Sequence, residues 1–291
     1  MIAAVTAGIP TYNEEKVIGK TIMSVLSQLN KKDELIVVAS GCTDNTIPEI
    51  RKLTKRNKRI KLIIEKERKG KSSALNLIIR NAKNNIIVQT DGDVELEKQA
   101  IKKIVKKLKG KNIGAVSGHP IPLIPRTNLF YDWTLMSYRK SHDLRLQESK
   151  EGRLWHLSGY LIAFKKEALG SLPNAKGAVD AWMGKIIKDN GYKMLYEPDA
   201  KVYVKAPLTI GDFIKQKARV RAGFYLLPKG PRTVKSEIWY LPGELIKIPL
   251  QRWPKFIFSG VVYLYSWIKG YYLAKTNASL TKIWKVPEST K

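Results

Sequence analysis

The sequence predicts an α/β fold in which a doubly wound, mainly parallel β-sheet carries helices on both faces, followed by a C-terminal hydrophobic or amphipathic helical segment. Through the first 120 residues, short β-branched runs alternate with stretches whose apolar residues recur at helical spacing. Such alternation is typical of a parallel sheet with crossover helices. From residue 238 onward the chain is rich in Trp, Tyr, Leu and Ile, which predicts the C-terminal segment.

The individual elements follow from these patterns. In the first part of the chain the predicted strands are Ala3–Ile9, Glu34–Ala39, Ile60–Glu65 and Asn85–Thr90, and the predicted helices are Glu14–Leu29, Asn45–Arg56 and Lys71–Ala82. Later in the chain Val116–Gly118, Trp155–Phe164 and Met194–Val204 are predicted strands, and Val179–Asp189 and Ile210–Gly223 are predicted helices. Ligands of a doubly wound sheet bind beyond the carboxyl ends of its strands, which is where the polar motifs of this chain fall.

The charge balance indicates an anionic partner. Lys and Arg number 53 among 291 residues, against 25 acidic residues, so the net charge is +28. Such an excess is typical of proteins that contact nucleic acid, an anionic membrane or phosphorylated substrates. Cys42 is the one cysteine, so no intramolecular disulfide forms. The first nine residues lack the pattern of a signal peptide, and we therefore expect a cytoplasmic catalytic domain.

The C-terminal segment, Ile238–Ala274, is divided by three prolines at 242, 249 and 254. Its longest weakly charged part, Phe256–Ala274, is about the length of a membrane span. A single crossing would place the lysines that follow it on the outer side, against the positive-inside bias. We therefore expect an interfacial or hairpin arrangement at a membrane surface. Helices packed on the catalytic domain or at an oligomer interface are the alternative.

The strongest chemical motif is Asp91-Gly92-Asp93, which follows the hydrophobic strand ending at Thr90. In an extended segment, side chains two residues apart point to the same side, so both carboxylates are expected to face one ligand. Converging carboxylates repel each other unless a cation compensates them. Mg²⁺ or Mn²⁺, which take oxygen ligands and bridge to phosphates, is therefore the expected cofactor.

Three further strings lie at predicted strand ends or helix starts. Gly8–Glu15 (GIPTYNEE) leads into the first helix, for which Asn13 is a favourable N-cap. Ile36–Thr46 (IVVASGCTDNT) joins the second strand to the second helix. In Lys69–Asn76 (KGKSSALN) a Gly-Lys pair opens a helix, where backbone N–H groups favour phosphate.

These four strings, in this order, resemble glycosyltransferase family 2, whose members have the GT-A fold and transfer sugar from a nucleotide donor with inversion. The resemblance implies a membrane-associated archaeal or bacterial member. It assigns metal binding to Asp91 and Asp93, and donor binding to Pro10, Tyr12, Glu14, Ser40, Asp44, Lys71, Asp91, Gly92 and Asp93. One departure is that Ala39 and Ser40 stand where many members have paired aspartates. An acidic contact to the base or ribose is therefore missing or replaced by the Ser40 hydroxyl.

The second half continues the resemblance more loosely. Asp180 matches the family's carboxylate base, while Val179 replaces the acid that often precedes it. Val220 stands where processive synthases usually have Trp, so transfer of a single sugar is expected rather than polymerisation. The residues that the resemblance places at the diphosphate or the acceptor are Gln216, Arg219, Arg221, Trp155, His156, Ser158, Gly159 and Trp182.

The resemblance divides the chain into a catalytic domain over residues 1–235 and C-terminal membrane-associated or interfacial helices with a tail over residues 236–291. The catalytic domain has a nucleotide-binding half (1–118) and an acceptor-binding half (119–235). We expect transfer from a UDP- or GDP-sugar to a lipid-linked or glycan acceptor. The expected location is the cytoplasmic side of the cell membrane, with an anionic membrane surface as partner, and either peripheral attachment or anchoring by the C-terminal helices.

Two other function classes are compatible with single features. A sugar-phosphate nucleotidyltransferase also combines an α/β sheet with Mg²⁺, but usually needs a glycine-rich N-terminal loop with a basic residue, which Gly8–Glu15 does not supply. A nucleic-acid-binding module would suit the net charge. However, no nucleic-acid motif is recognised in the sequence, and carboxylates sit badly beside a phosphate backbone. No nucleic-acid partner is therefore expected.

Overall fold

The computed structural model describes residues 3–173, 178–225 and 241–276. Its strands are β1 Val5–Thr11, β2 Glu34–Ser40, β3 Ile60–Glu65, β4 Ile86–Thr90, β5 Val94–Leu96, β6 Ile113–Leu123, β7 Leu161–Lys165 and β8 Lys193–Lys205. The helices are α1 Ile18–Leu26, α2 Thr46–Arg56, α3 Lys71–Asn81, α4 Ala100–Lys107, α5 Tyr131–Lys150, α6 Lys166–Leu169, α7 Val179–Asp189 and α8 Ile210–Tyr225. A short helix (Leu241–Leu245), a 3-10 turn (Leu250–Arg252) and a long helix (Trp253–Lys275, the C-terminal helix) follow.

The strands form one sheet in the order β3-β2-β1-β4-β7-β6-β8-β5. The strands β3, β2, β1 and β4 are mutually parallel, as are β6 and β8, whereas β7 and β5 run antiparallel to their neighbours. The predicted α/β sheet is confirmed, and its second half is mixed. The reversal at β7 brings the start of that strand beside the end of β4.

Helices cover both faces of the sheet, as predicted. On one face, apolar side chains of α1 and α4 belong to one cluster with alternate residues of β1 and β2, and α4 packs mainly on β8 and β6. On the other face, α3 packs on β2 and β1 and α7 packs on β8, in a cluster that also includes residues of β4 and β7. Gly8 allows α3 to approach, since a Cβ there would lie 2.6 Å from Cγ2 of Ile78. Because helices cover both faces of the sheet, side chains on both sides of these strands are buried, and the strands are therefore continuous apolar runs in the sequence.

Two predictions about helices differ from the structure. The first helix begins at Ile18, not near Glu14, and its N-cap residue is Val17. Asn13 has φ 53° and exchanges side-chain hydrogen bonds with Thr43, so it ties two loops together and does not cap a helix. The 20-residue helix α5 has no predicted counterpart. Its buried residues include both Trp133 and Arg145, because it contacts the sheet as well as the C-terminal helix, and no simple apolar stripe results.

The C-terminal helix packs mainly on α8 and, less extensively, on α5. Gly270 faces α8, and a Cβ at that position would lie 2.8 Å from the carbonyl oxygen of Ala218. Pro254 lies in the first turn of this helix, where a missing N–H costs nothing, so it opens the helix and does not break it. Within the described part of the chain, no helix has the length and apolar character needed to cross a membrane.

Candidate active site

The carboxyl ends of β1, β2 and β4 meet at one edge of the sheet because these strands are parallel. The start of β7 lies at the same edge, since Thr90 pairs with Leu161 in antiparallel register. The segment before β7 therefore meets the segment after β4. The hydroxyl of Thr90 reinforces this junction with a 2.7 Å hydrogen bond to the carbonyl of Tyr160.

Lys71 joins these segments. Its Nζ forms an ion pair with Oδ1 of Asp91 and lies 3.4 Å from the carbonyl oxygen of Gly159. Gln89, which the sequence reasoning missed, donates from Nε2 to the same carbonyl (3.0 Å) and to the same carboxylate oxygen (3.3 Å). The side chains of Lys71 and Asp91 each remain 27% exposed, so a substrate has access to both.

Asp93 completes the pair of carboxylates. β4 ends at Thr90, so Asp91-Gly92-Asp93 forms a turn and not the extended segment that the sequence suggested. The two carboxylates still converge. Burial and the charge of Asp91 raise the pKa of Asp93 to about 6, against the opposing influence of Lys71 and Arg219. A cation at this turn would relieve that repulsion.

The side chain of Glu14 packs against this turn. It is buried, its backbone N–H donates to Oγ1 of Thr46 at 2.7 Å, and its carboxylate accepts a 3.4 Å bond from the hydroxyl of Thr11. A Cβ on Gly92 would lie 2.2 Å from Oε2 of Glu14. A side chain between the two aspartates would therefore require the carboxylate of Glu14 to move from its place beside Thr11.

Asp44 ties together the loops that follow β1 and β2. Its carboxylate accepts hydrogen bonds from the backbone N–H groups of Glu15 (3.2 Å) and Thr46 (3.0 Å). Burial works to raise the pKa of Asp44, but the bonds from Thr46 and Glu15 outweigh it and hold the pKa below its ordinary value. Of the other predicted donor residues, Pro10 is buried inside β1 and Tyr12 lies at its end beneath the guanidinium of Arg68.

Asp180 lies in the first turn of α7 and meets the same cluster. A Cβ on Gly159 would lie 3.3 Å from Oδ2 of Asp180 and 3.4 Å from Nζ of Lys71, so the three residues share one small volume. Burial raises the pKa of Asp180, Lys71 opposes the rise, and Asp91 adds to it. His156 Nε2 lies 3.9 Å from Oδ2 of the same carboxylate.

The predicted acceptor segment, Trp155–Gly159, is held from two sides. The backbone N–H of Ser158 donates to Oγ of Ser117 in β6 at 2.8 Å. The carbonyl of Trp155 lies against Gly184 of α7, where a Cβ would come within 1.9 Å of its oxygen. Trp182 is partly buried on the same apolar cluster as Trp155. The structure thus brings the predicted segment beside Asp180.

The helix α8 contributes Arg219, which lies close enough to Asp91 and Asp93 to interact with their charges. Gln216 lies about one turn earlier and is partly exposed. Arg221, predicted to meet diphosphate or acceptor, stacks on Trp267 of the C-terminal helix with 3.0 Å between guanidinium carbon and ring centroid. It is buried by that packing, which accounts for its position.

Tyr138 and Tyr160, also missed from the sequence, share a side-chain hydrogen bond near Asp93. The neighbouring Tyr138, together with burial, raises the pKa of Tyr160 well above its ordinary value, so both hydroxyls stay protonated and able to donate. In the sequence, the indication that Tyr160 belongs to the site is its position directly after Gly159. Tyr138 lies on α5, and no motif around it indicates such a role.

Within residues 3–173, 178–225 and 241–276, no group of three or more His, Cys, Asp or Glu side chains converges in a way that could hold a metal ion. Asp91 and Asp93 supply two hard oxygen ligands. Mg²⁺ is commonly bound through one or two carboxylates and completes its coordination with substrate phosphates and water. The donor set therefore fits a cation shared with a diphosphate.

Solved structures share this architecture. The mannosyltransferase PcManGT from Pyrobaculum calidifontis, in complex with GDP-Man and Mn²⁺, superposes with a TM-score of 0.69 at 24% identity, over 94% of this chain and 88% of that one. Staphylococcus aureus TarS in complex with UDP-GlcNAc superposes with a TM-score of 0.53 at 17% identity, over 88% of this chain and 79% of that one. These similarities establish the GT-A-like fold.

Sequence relatives point to the same group. The poly-β-1,6-N-acetyl-D-glucosamine synthase of Staphylococcus aureus is 26% identical over 226 residues, which are 76% of this chain and 55% of the synthase. The Staphylococcus epidermidis synthase is 27% identical over 224 residues, or 73% of this chain and 52% of the synthase. The chain thus spans about half the length of these relatives. The model of the family described as "Glycosyl transferase family 2" matches residues 6–172, more than half of the chain, and the chain therefore belongs to glycosyltransferase family 2.

Proposed function

We propose that this family 2 glycosyltransferase transfers a hexosyl group from a nucleoside diphosphate sugar to an acceptor hydroxyl, with inversion at the anomeric carbon. The observation that carries the proposal is the convergence of Asp91, Lys71, Gly159 and Asp180, which come from four separate segments, at one edge of the sheet. That edge is where an α/β sheet binds its ligand.

Asp180 is the proposed base. Its ionised carboxylate accepts the proton of the acceptor hydroxyl as that oxygen attacks the anomeric carbon. A carbon–oxygen bond to the acceptor forms, the bond to the diphosphate breaks, and the nucleoside diphosphate leaves with the bonding electrons. The raised pKa of Asp180 suits a base, since a carboxylate with a higher proton affinity accepts the proton more readily.

Charge on the departing diphosphate is met by Lys71 and Arg219, whose placement beside the two aspartates supports this role. Asp91 and Asp93 are proposed to hold Mg²⁺ or Mn²⁺, which when bound would supply further neutralisation of the diphosphate. Glu14 and Gln89 position the carboxylates through the contacts described above. The segment Trp155–Gly159 and Trp182 are proposed to receive the acceptor.

The acceptor is proposed to be lipid-linked or a glycan, reached at the cytoplasmic face of a membrane. The C-terminal helix supports this proposal, because it exposes a stripe of apolar side chains at helical spacing: Ile257, Val261, Leu264, Tyr265, Ile268 and Tyr272 (the exposed stripe). Exposed lysines lie on the same helix at 255, 269 and 275, and the net charge is +28. Apolar and aromatic residues beside lysine suit an interfacial helix on anionic lipid.

Transfer of one sugar per acceptor is proposed rather than polymerisation. Val220 stands where the processive pattern has Trp, and its side chain is 46% exposed on α8. An exposed valine offers less surface for stacking on a glycan chain than Trp does. The identity of 26% with polysaccharide synthases leaves room for this difference.

The proposal is tested by thermal unfolding with UDP-, GDP- and dTDP-sugars, each with and without Mn²⁺. A donor at 100 times its Kd stabilises the folded protein by about 2.7 kcal/mol, so the true donor will stand out as a rise in Tm. Asp93→Asn should lose the part of the shift that depends on Mn²⁺. The matched control Asp199→Asn, an exposed aspartate remote in sequence, should keep it. If no nucleotide sugar raises Tm under either condition, the proposed function is wrong.

A further inference from the structure

A carboxylate that no family motif assigns lies beside the nucleotide loops. Glu65 ends β3, and Ser40, its register partner at the end of β2, donates its hydroxyl to Oε2 of Glu65. Ser73 in the first turn of α3 donates to Oε1 at 2.5 Å. Many family members have paired aspartates where this chain has Ala39 and Ser40. Glu65 places a carboxylate directly beside Ser40 and so supplies an acidic group at that end of β2. Its position is set by two hydroxyls from different elements.

Arg68 lies three residues further along, in the loop that joins β3 to α3. Gly41, with φ 65°, donates its backbone N–H to the carbonyl of Glu65 at 2.8 Å. A Cβ on Gly41 would lie 2.5 Å from the backbone nitrogen of Arg68, so the two loops touch. The guanidinium of Arg68 stacks 3.8 Å from the ring centroid of Tyr12. Arg68 is thereby held at the end of β1, and its loop touches the end of β2, where the Glu65 carboxylate lies beside Ser40.

The hydrogen-bonding capacities of the Glu65 and Arg68 side chains are complementary to guanine. A carboxylate only accepts hydrogen bonds and a guanidinium only donates them. Guanine carries two donors, N1–H and N2–H, on one edge and two acceptors, O6 and N7, on the next. Uracil instead has one donor, N3–H, between two carbonyl oxygens, and these would face the carboxylate unfavourably.

Building on the proposed function, we propose that Glu65 and Arg68 select a guanine nucleotide. The carboxylate of Glu65 accepts from N1–H and N2–H, and Arg68 donates to O6 and N7. The two serine hydroxyls leave room for this, since each carboxylate oxygen has two lone-pair sites and spends one on a serine. Glu65 is only partly buried, so a base can reach it.

The test is calorimetric titration of the whole chain, with Mn²⁺ present, by GDP, IDP and UDP. IDP has O6, N7 and N1–H but lacks the N2 amine. A buried or bidentate hydrogen-bonded pair discriminates bases by about 1–3 kcal/mol, which corresponds to about 5- to 150-fold in Kd. We expect the wild-type chain to bind GDP at least about fivefold more tightly than IDP, and more tightly still than UDP.

The variant Glu65→Gln replaces one acceptor oxygen with a donor of the same size. GDP affinity should fall by about tenfold or more, while UDP affinity changes little, so the GDP-to-UDP preference collapses. The matched control Glu67→Gln removes the same charge from an exposed side chain two residues away and should keep the preference.

Two results would overturn the inference while leaving the proposed function intact: equal wild-type affinities for GDP, IDP and UDP, or an unchanged GDP-to-UDP ratio in Glu65→Gln. The wild-type comparison of GDP with IDP needs no variant, so misfolding cannot obscure it. Failure of every nucleoside diphosphate to bind would instead reject the proposed function, and this inference with it.

Discussion

At the scale of single residues, Lys71 balances the charges of the site. It forms an ion pair with Asp91. Its charge also opposes the rise that burial causes in the pKa of Asp93 and of Asp180, so one ammonium group stabilises three carboxylates in their ionised form. A diphosphate bound at this edge, as proposed, would meet a lysine whose Nζ is already positioned by Asp91. Gly70, with φ 93°, is the N-cap residue of α3, so Lys71 is the first residue of that helix.

The protonation of Asp180 gives a prediction about pH. Its pKa is raised in the folded protein, so the ionised, proton-accepting form is lost as pH falls through that raised pKa. The acidic limb of the transfer rate should therefore lie above the ordinary aspartate value of about 4. Lys71→Met should move the limb to still higher pH, because Lys71 lowers the pKa of Asp180. The exposed neighbour Lys69, changed to Met, is the control.

Removing the carboxylate is the complementary test. Asp180→Asn should reduce transfer by about 10²- to 10⁴-fold, since proton abstraction by a positioned base contributes that much. Donor affinity should stay near the wild-type value, because the proposed donor contacts come from Lys71, Asp91 and Asp93. Single-turnover transfer and calorimetric donor binding, measured on the same preparation, separate the two effects. Near-normal transfer by the variant would exclude Asp180 as the base.

At the scale of elements, α7 links the proposed base to the proposed acceptor segment. Asp180 occupies its first turn, and Gly184, one turn later, lies against the carbonyl of Trp155. The helix and the segment Trp155–Gly159 therefore hold each other in place. A residue without a side chain is needed at 184 for this close approach.

Gly184→Ala should show this dependence. Its new Cβ would lie 1.9 Å from the carbonyl oxygen of Trp155, and overpacking of this kind costs about 1–3 kcal/mol. The same change at Gly19 in α1 meets nothing within 4 Å and should stabilise by about 0.5–1 kcal/mol, because alanine favours a helix over glycine. Urea unfolding of both variants measures the free energies. Equal stability of the two variants would contradict the proposed coupling.

At the scale of the whole molecule, the C-terminal helix has one face on the catalytic fold and another in solvent. Phe256, Val262 and Gly270 are buried on its inner side, and Arg221 of α8 stacks on its Trp267. The exposed stripe lies on the other side, and apolar surface of this extent is typical of an interaction site.

Vesicle binding tests this face. The chain should sediment with vesicles containing anionic phosphatidylglycerol, and the bound fraction should fall as NaCl rises from about 0.05 to about 0.5 M, since salt screens the attraction. Changing both Ile257 and Leu264 to Ser should weaken binding, because each is 58% exposed on the stripe. Met23→Ser, 54% exposed on α1, is the control. Unchanged binding by the double variant would exclude the stripe as the membrane contact.

The sequence by itself determined the features that depend on neighbouring residues. Strand and helix patterns arise from local periodicity, so the predicted bounds of β3 and α7 coincide with those of the fold. The strand-end motifs are contiguous strings, and parallel strands bring their carboxyl ends together. The motifs place Asp91 and Lys71 near one another, and the family resemblance that they carry adds Asp180 to the same site.

Only the tertiary structure decided what depends on distant pairings. The reversal of β7 places Gly159 beside Asp91, and the register of β2 and β3 places Glu65 beside Ser40. The helix α5 was not predicted because it is covered on more than one side, so its apolar residues form no single stripe in the sequence. Tyr138, which lies on α5, was missed for the same reason. Arg221 carries a motif position yet packs on Trp267. Which side chains meet is set by the order of strands and by burial between layers, and residues far apart in sequence share no local pattern that could reveal it.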